Sequence, residues 1–297
     1  MIGSAIYELA AGSSLLAAAD FERTIEIWGI PALHKVCQIK GDYIFGNGNL
    51  AVHPQRQQIC VGTASARGKV AGYDAKNGKL LWRRPSLPYP GQLRYSFLGD
   101  LVYCSIDKGR VLQLDSSTGD TVVVIQDSRG CFEGEHCIFI CPSSGLDYRI
   151  RQKSSMEEVR LKKSSFAALD VVLTEDTAFL TESGGAIISI DTHTGYENWR
   201  YSPPKGSHAL KLHWGSRLKA LYAVVWHYEG NLFRNLLRLE EKDGQAGLVC
   251  EITNSSGEAF IEATQSMITT NGDIIDLSSG RMLDKIPFPQ KEYQGIV

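Results

Sequence analysis

The chain of 297 residues is 43% apolar and 22% charged, and its 31 Lys and Arg nearly balance its 33 Asp and Glu for a net charge of -2. That balance excludes a disordered chain and shows no one-signed excess that would advertise nucleic acid or an anionic membrane. The length fits one or two domains.

Along the chain, residues 1–20 are rich in small apolar residues but hold no Lys or Arg, and Glu8 breaks the run. This segment lacks the basic start and unbroken apolar core of a signal peptide. No later stretch approaches the roughly 18 uncharged apolar residues of a membrane span. The seven cysteines are odd in number and scattered singly, which reads as reduced core thiols and a cytoplasmic protein.

Residues 24–39 form a first strand-turn-strand segment. Residues 71–82 then read A-G-Y-D-A-K-N-G-K-L-L-W, residues 112–123 L-Q-L-D-S-S-T-G-D-T-V-V, residues 188–199 I-S-I-D-T-H-T-G-Y-E-N-W, and residues 274–283 I-I-D-L-S-S-G-R-M-L. Each is an alternating strand, Asp-x-x-x-Gly, and a second strand. The Asp can cap the amides of the turn, and the Gly supplies a positive φ. Between Asp74, Asp115, Asp191 and Asp276 the intervals are 41, 76 and 85 residues. They leave room for two degenerate copies, near 153 and 240, which lack the Asp-Gly signature.

Seven units of about 42 residues match the length of four-stranded propeller blades. The expected fold is therefore all-β, a single seven-bladed β-propeller of four-stranded antiparallel blades at approximately 1–40, 41–84, 85–126, 127–164, 165–202, 203–254 and 255–297. Strands are expected at 50–53, 58–63, 69–74 and 79–83, at 93–98, 101–106, 111–115 and 120–125, and at 171–173, 178–182, 186–191 and 197–201. Helical alternatives exist only at 155–163 and the Ala-rich start. Residues 5–10 fit either the first strand of blade 1 or the completion of blade 7.

The pattern Asp-x-x-x-Gly-x-x-x-Trp, whole at Asp74 to Trp82 and Asp191 to Trp199, resembles the repeat of the PQQ-like (quinoprotein-like) β-propeller superfamily. The resemblance implies that Trp82 and Trp199 pack between neighbouring blades, while Val123 and Asp284 at the equivalent positions make weaker contacts. It does not imply the quinone chemistry of the family's dehydrogenases, which resemble longer eight-bladed rings with a vicinal Cys-Cys pair, and no two cysteines are adjacent here. The lipidated cysteine of the outer-membrane assembly lipoproteins of the superfamily has no counterpart at this N-terminus either.

Other chemistry is thin. There is no G-x-S-x-G, H-E-x-x-H or Walker-type phosphate loop. Cys131, Cys137, Cys141 and His136 do not follow a zinc-knuckle spacing, His208, His213 and His227 are spread over a whole blade, and the basic run Arg149, Arg151, Lys153, Arg160, Lys162, Lys163 is broken by Glu157 and Glu158. The expectation is an enzyme-free protein with no cofactor and no metal, binding neither nucleic acid nor membrane.

Function in a propeller lies in its loops and channel. The loops 84–92, 126–135, 201–208 and 227–234 are expected on the face opposite the Asp-x-x-x-Gly turns. They carry Tyr89, Phe132, Glu133, Glu135, Tyr201, Tyr228, Glu229 and Phe233, aromatics flanked by carboxylates as a protein-binding face requires. A chain of this size and make-up resembles the immunity proteins that bacteria hold against secreted antibacterial toxins, including type VI secretion nucleases. That implies a monomer until it meets one cognate toxin. A WD-repeat-like assembly scaffold is the alternative from sequence, followed by a small-ligand-binding or enzymatic channel.

Overall fold

The structure, a computed structural model, describes residues 6–40, 49–63, 65, 67–106, 109–143, 147–161, 168–227, 233–253, 255 and 257–288. Seven four-stranded antiparallel sheets are found, each made of four strands consecutive in sequence. Blade 1 comprises β1 (Ile6–Ala11), β2 (Leu15–Asp20), β3 (Thr24–Gly29) and β4 (His34–Lys40); blade 2, β5 (Leu50–Val52), β6 (Gln58–Gly62), β7 (Gly68–Asp74) and β8 (Leu80–Leu87). Blade 3 follows with β9 (Gly91–Tyr95), β10 (Leu101–Ile106), β11 (Arg110–Asp115) and β12 (Thr121–Ile125), and blade 4 with β13 (Ser128–Glu133), β14 (Cys137–Pro142), β15 (Tyr148–Gln152) and β16 (Glu158–Leu161). Blade 5 holds β17 (Ala168–Leu173), β18 (Thr177–Glu182), β19 (Ile187–Asp191) and β20 (Glu197–Tyr201). Blade 6 holds β21 (Ser207–Gly215), β22 (Ala220–His227), β23 (Phe233–Glu240) and β24 (Ala246–Thr253), and blade 7 holds β25 (Glu258–Ile261), β26 (Ser266–Thr269), β27 (Asp273–Asp276) and β28 (Met282–Lys285).

The first strands of neighbouring blades face one another at β1/β5, β5/β9, β13/β17 and β17/β21, and β25 meets β1 to close the ring. First strands thus line the axis and fourth strands form the rim. Residues 6–11 are the first strand of blade 1, paired with β2, and they pack beside blade 7. The Ala-rich start is strand β2, and β16 occupies the middle of 155–163, so neither helical alternative is realised.

There is no central core. Seven apolar clusters each lie between two blades, from Leu15, Ile27 and Ile59 at the blade 1–2 interface to Trp28, Ile268 and Phe288 where blade 7 meets blade 1. Middle strands are therefore buried on both faces, which explains a continuous apolar run such as L-L-A-A-A in β2. Leu15, Ala17 and Ala19 enter one interface while Leu16 and Ala18 enter the other, as the two-residue period requires. The blade 3–4 cluster is the smallest, with Tyr103, Val111, Ile125, Cys131 and Ile140.

Candidate functional site

All seven turns between third and fourth strands share one geometry. The amide of the fifth residue donates to the carbonyl of the first at Gly29/Leu33, Asp74/Gly78, Asp115/Gly119, Gln152/Met156, Asp191/Gly195, Glu240/Gly244 and Asp276/Gly280. The fifth residue has positive φ throughout, including Leu33 at 50° and Met156 at 61°. Where Asp comes first, its Oδ1 accepts amide protons two or three residues on, as with Ser117 and Thr118 on Asp115. These bonds favour the ionised form. Amide bonds from Thr118 and Thr194 hold Asp115 and Asp191 below the usual carboxylate range, as Ser278 and Ser279 do for Asp276.

Just after the turn a bulge in six of the seven blades advances the fourth strand by one residue. In blades 2 and 5 this aims Trp82 and Trp199 at the next blade, where their indole N–H donates to the carbonyls of Ser116 (2.7 Å) and Glu241 (2.6 Å). Each indole lies on the turn glycine of that blade, Gly119 or Gly244. Cys37 occupies the same position in blade 1, and its Sγ donates to the Ala75 carbonyl at 3.2 Å. Val123 and Asp284, at this position in blades 3 and 7, are exposed.

The axis is crossed by charge. Arg94 of β9 reaches past blade 4 to Asp170 of β17 at 3.1 Å, its guanidinium 4.1 Å over the Phe132 ring. The second Asp170 oxygen accepts the Leu212 amide at 2.9 Å. Beside it Lys211 donates to the Glu258 carbonyl, and the Glu258 carboxylate holds Arg234 at 2.5 Å. Burial holds the Lys211 amine below the ordinary lysine range, against the pull of Asp170 and Glu258. Glu8 accepts the Leu50 amide at 3.1 Å. These side chains tie blades 3, 5, 6 and 7 together.

The residues expected on one loop face are dispersed. Tyr89 is exposed, 57%, in the connection after β8. Phe132 and Glu133 are not loop residues; they end strand β13, where Phe132 is buried under Arg94 and Glu133 receives Lys153 and the Tyr103 hydroxyl, both at 2.6 Å. Glu135 is exposed but lies in the β13–β14 turn, on the opposite face from Tyr89: the neighbouring His136 carbonyl accepts Lys153 of the β15–β16 turn. Tyr201 ends β20, half-buried against the blade 5–6 cluster, and burial raises its pKa. Tyr228 and Glu229 lie outside the described residues, as does the side chain of Phe233 at the start of β23.

The other sequence clusters are locally engaged. Cys137 and Cys141 pack with Phe139 in the blade 4–5 interface while Cys131 faces blade 3, so the thiols do not converge. Arg149 and Arg151 share Glu158 at 3.8 and 2.5 Å. His227 bridges Ser207 and Asn235, and His213 stacks on Phe260 with Glu262 3.0 Å away. Burial alone would raise Glu262, but His213 and Ser216 outweigh it and hold its carboxyl at about 2. An open polar groove of about 630 Å³ between blades 5 and 6 is lined by Thr177, Asn198, Lys219, Glu240, Glu241 and Lys242.

One surface property escaped the sequence reading. On the face bearing the first-to-second and third-to-fourth turns, the turns and the strand residues that open them carry fifteen Asp and Glu against eight Lys and Arg. The signal was present in the sequence, but it needs every turn to be assigned to a face before the charges are counted.

A family model described as outer membrane protein assembly factor BamB matches residues 40–217, more than half of the chain. The chain belongs to this BamB-like family of PQQ propellers. No curated protein matches it. Solved structures similar to this BamB-like chain include BamB from Moraxella catarrhalis, 16% identical with a TM-score of 0.58 over 94% of this chain and 86% of that one. The β-propeller domain of Cps50 (Swd1) from Myceliophteria thermophila is 11% identical, TM-score 0.70, over 95% and 96% of the two chains. Hsv2 from Kluyvelomyces marxianus is 11% identical, TM-score 0.69, over 91% of each. At such identities the structures share the fold. The BamB-like chain keeps the family's Asp-x-x-x-Gly turn in four blades and its geometry in all seven. Among the described residues no helix is long and apolar enough to cross a membrane.

Proposed function

We propose that this BamB-like propeller is a non-catalytic protein-binding scaffold whose acidic turn face receives a basic partner. The family's description as an assembly factor supports a protein partner. The observation that carries the reading is the excess of fifteen carboxylates over eight cations in the turns of one face of a protein with a net charge of only -2. Such a face steers and orients a cationic surface.

The finer form of this proposal is immunity: a cytoplasmic protein that covers the basic, substrate-binding cleft of one cognate secreted toxin of the nuclease class. The contact face is then the turn face with Glu135, Asp176 and Glu241, opposite to the loops expected from sequence. The test is a one-to-one complex with a toxin encoded beside this gene, measured by calorimetry. Glu135→Lys, Asp176→Lys and Glu241→Lys together are expected to weaken the complex by at least 100-fold, and Tyr89→Ala on the opposite face by less than twofold. A deletion strain that survives the toxin overturns immunity; a toxin complex indifferent to the triple charge reversal overturns the assignment of the face.

A further inference from the structure

We infer a second docking site on the rim of blades 2 and 3, where an extended, acidic and apolar segment of a protein partner adds as a strand to the outer edge of β12. The site lies on the rim and draws on blade 2, the one blade whose turns on the acidic face carry more Lys and Arg than Asp and Glu, so it takes the opposite charge.

Seven edge strands form the rim, and edges are normally blunted by charge or proline because their free N–H and C=O groups recruit other strands. Six of the seven carry at least one charged residue, and β8 also has Pro85. Strand β12, T-V-V-V-I, carries neither. It ends its sheet, paired only with β11, and among the described residues nothing pairs with its other side. Val122, Val123 and Val124 are 57%, 44% and 40% exposed. The bulge lies at its first valine, so the rest of the strand pairs with β11 without interruption. Three consecutive exposed β-branched residues on an open edge favour strand addition, in which backbone bonds supply affinity and side chains supply selectivity.

The chemistry of the occupant follows from the neighbouring blade. From Ala75 to Gly99 the chain has five Lys and Arg and no Asp or Glu. Arg94 is engaged at the axis, whereas Lys76, Lys79 and Arg83 are exposed on the turn and outer strand of blade 2. Arg84 donates to Thr121 at the start of β12 at 3.2 Å and pairs with Asp120 at 3.8 Å, which joins the strip to the apolar edge and leaves Lys76, Lys79 and Arg83 as its outward cations. Leu80 and Leu81, 40% and 49% exposed, extend the apolar surface along β8. A strand alternating Val and Glu matches both features, and its carboxylates supply the counter-charge missing from 75–99.

The probe is an eight-residue acetylated and amidated peptide alternating Val and Glu, compared with its Val-Lys counterpart and with an octameric single-stranded oligonucleotide. Fluorescence anisotropy is expected to show the acidic peptide binding at least tenfold tighter than either competitor. Amide exchange is expected to slow at residues 121–126 on binding. Val123→Glu, at an exposed position, should leave the melting temperature unchanged and weaken the peptide at least tenfold, and Lys79→Glu with Arg83→Glu should reverse the preference between the two peptides. Equal binding of both peptides, no protection of 121–126, or an unaffected Val123→Glu overturns the site; tighter binding of the oligonucleotide assigns the strip to phosphates and overturns the strand. None of these outcomes bears on the toxin complex, so the two proposals fail separately.

Discussion

At the residue scale the recurring unit is a five-residue turn, and in four of its seven copies an Asp at the first position caps the amides that follow. Asp115, Asp191 and Asp276 have carboxyl groups held below their usual range by those bonds. A carboxylate with a depressed folded pKa stabilises the protein above its unfolded pKa of about 3.9, and that contribution is lost as pH falls through the folded value. Because these carboxylates are largely solvated, each effect is small. Together they predict a melting temperature that falls as pH drops below about 5 and on through the depressed folded values, and a shallower fall in the triple variant Asp115→Asn, Asp191→Asn, Asp276→Asn. The amide keeps an acceptor oxygen but does not titrate. Scanning fluorimetry at constant ionic strength checks this, and parallel curves for the two proteins refute it. The turn also shows why the repeat was only half legible from sequence. Leu33 and Met156 adopt the positive φ that glycine normally serves, and Glu240 replaces Asp ahead of Gly244. A pattern built on Asp and Gly passes over all three, although the backbone does not.

At the element scale the contact between a fourth strand and the turn of the next blade joins neighbouring sheets. Its tightness is measured by Gly244, where a Cβ would come within 2.6 Å of the Trp199 ring, at a φ of +67°. Gly244→Ala therefore combines a strained backbone with overpacking and is expected to cost about 2–4 kcal/mol. Gly247, exposed on β24 with nothing within 4 Å of an added Cβ, is the control. Gly247→Ala should change stability by less than about 1 kcal/mol. Urea midpoints for the two variants distinguish a turn that carries an interface from one that merely reverses the chain, since equal shifts would deny the contact its role. Strand positions in blades 2, 3 and 5 were readable because alternation and turn residues agree there. Phe132 and Glu133 were not, because Ser128, Arg129 and Gly130 ahead of them interrupt the apolar alternation and read as loop. Only the ladder with β14 shows that the chain is already extended, with Phe132 opposite Phe139.

At the scale of the whole molecule, a ring without a central core distributes its stability over seven interfaces. Six join blades consecutive in sequence, and the seventh joins blade 7 to blade 1. The composition and the intervals between Asp residues made the ring legible, but the closure was not, since residues 5–10 suit either blade as a strand. Among the described residues the two blades meet by side-chain packing: Ile6, Leu9, Leu16 and Trp28 meet Ala259, Ile268 and Phe288, with Phe288 edge-on to Trp28 at 5.9 Å. No strand of one blade joins the sheet of the other across this seam among the described residues. Phe288 is 5% exposed, so Phe288→Ala is expected to remove about 3–5 kcal/mol of packing. Because cooperative units open separately when their contacts weaken, the loss should appear first as faster amide exchange in β1–β3 and β25–β27. Phe139→Ala, fully buried at the blade 4–5 interface, serves as the comparison with a similar truncation. It is expected to leave exchange at the seam slower than Phe288→Ala does at matched global stability, because blades 4 and 5 are also held by the chain that runs between them. Uniform acceleration across all seven blades in Phe288→Ala would mean that the ring opens only as a whole, and that the seam is as strong as the six interfaces the chain itself spans.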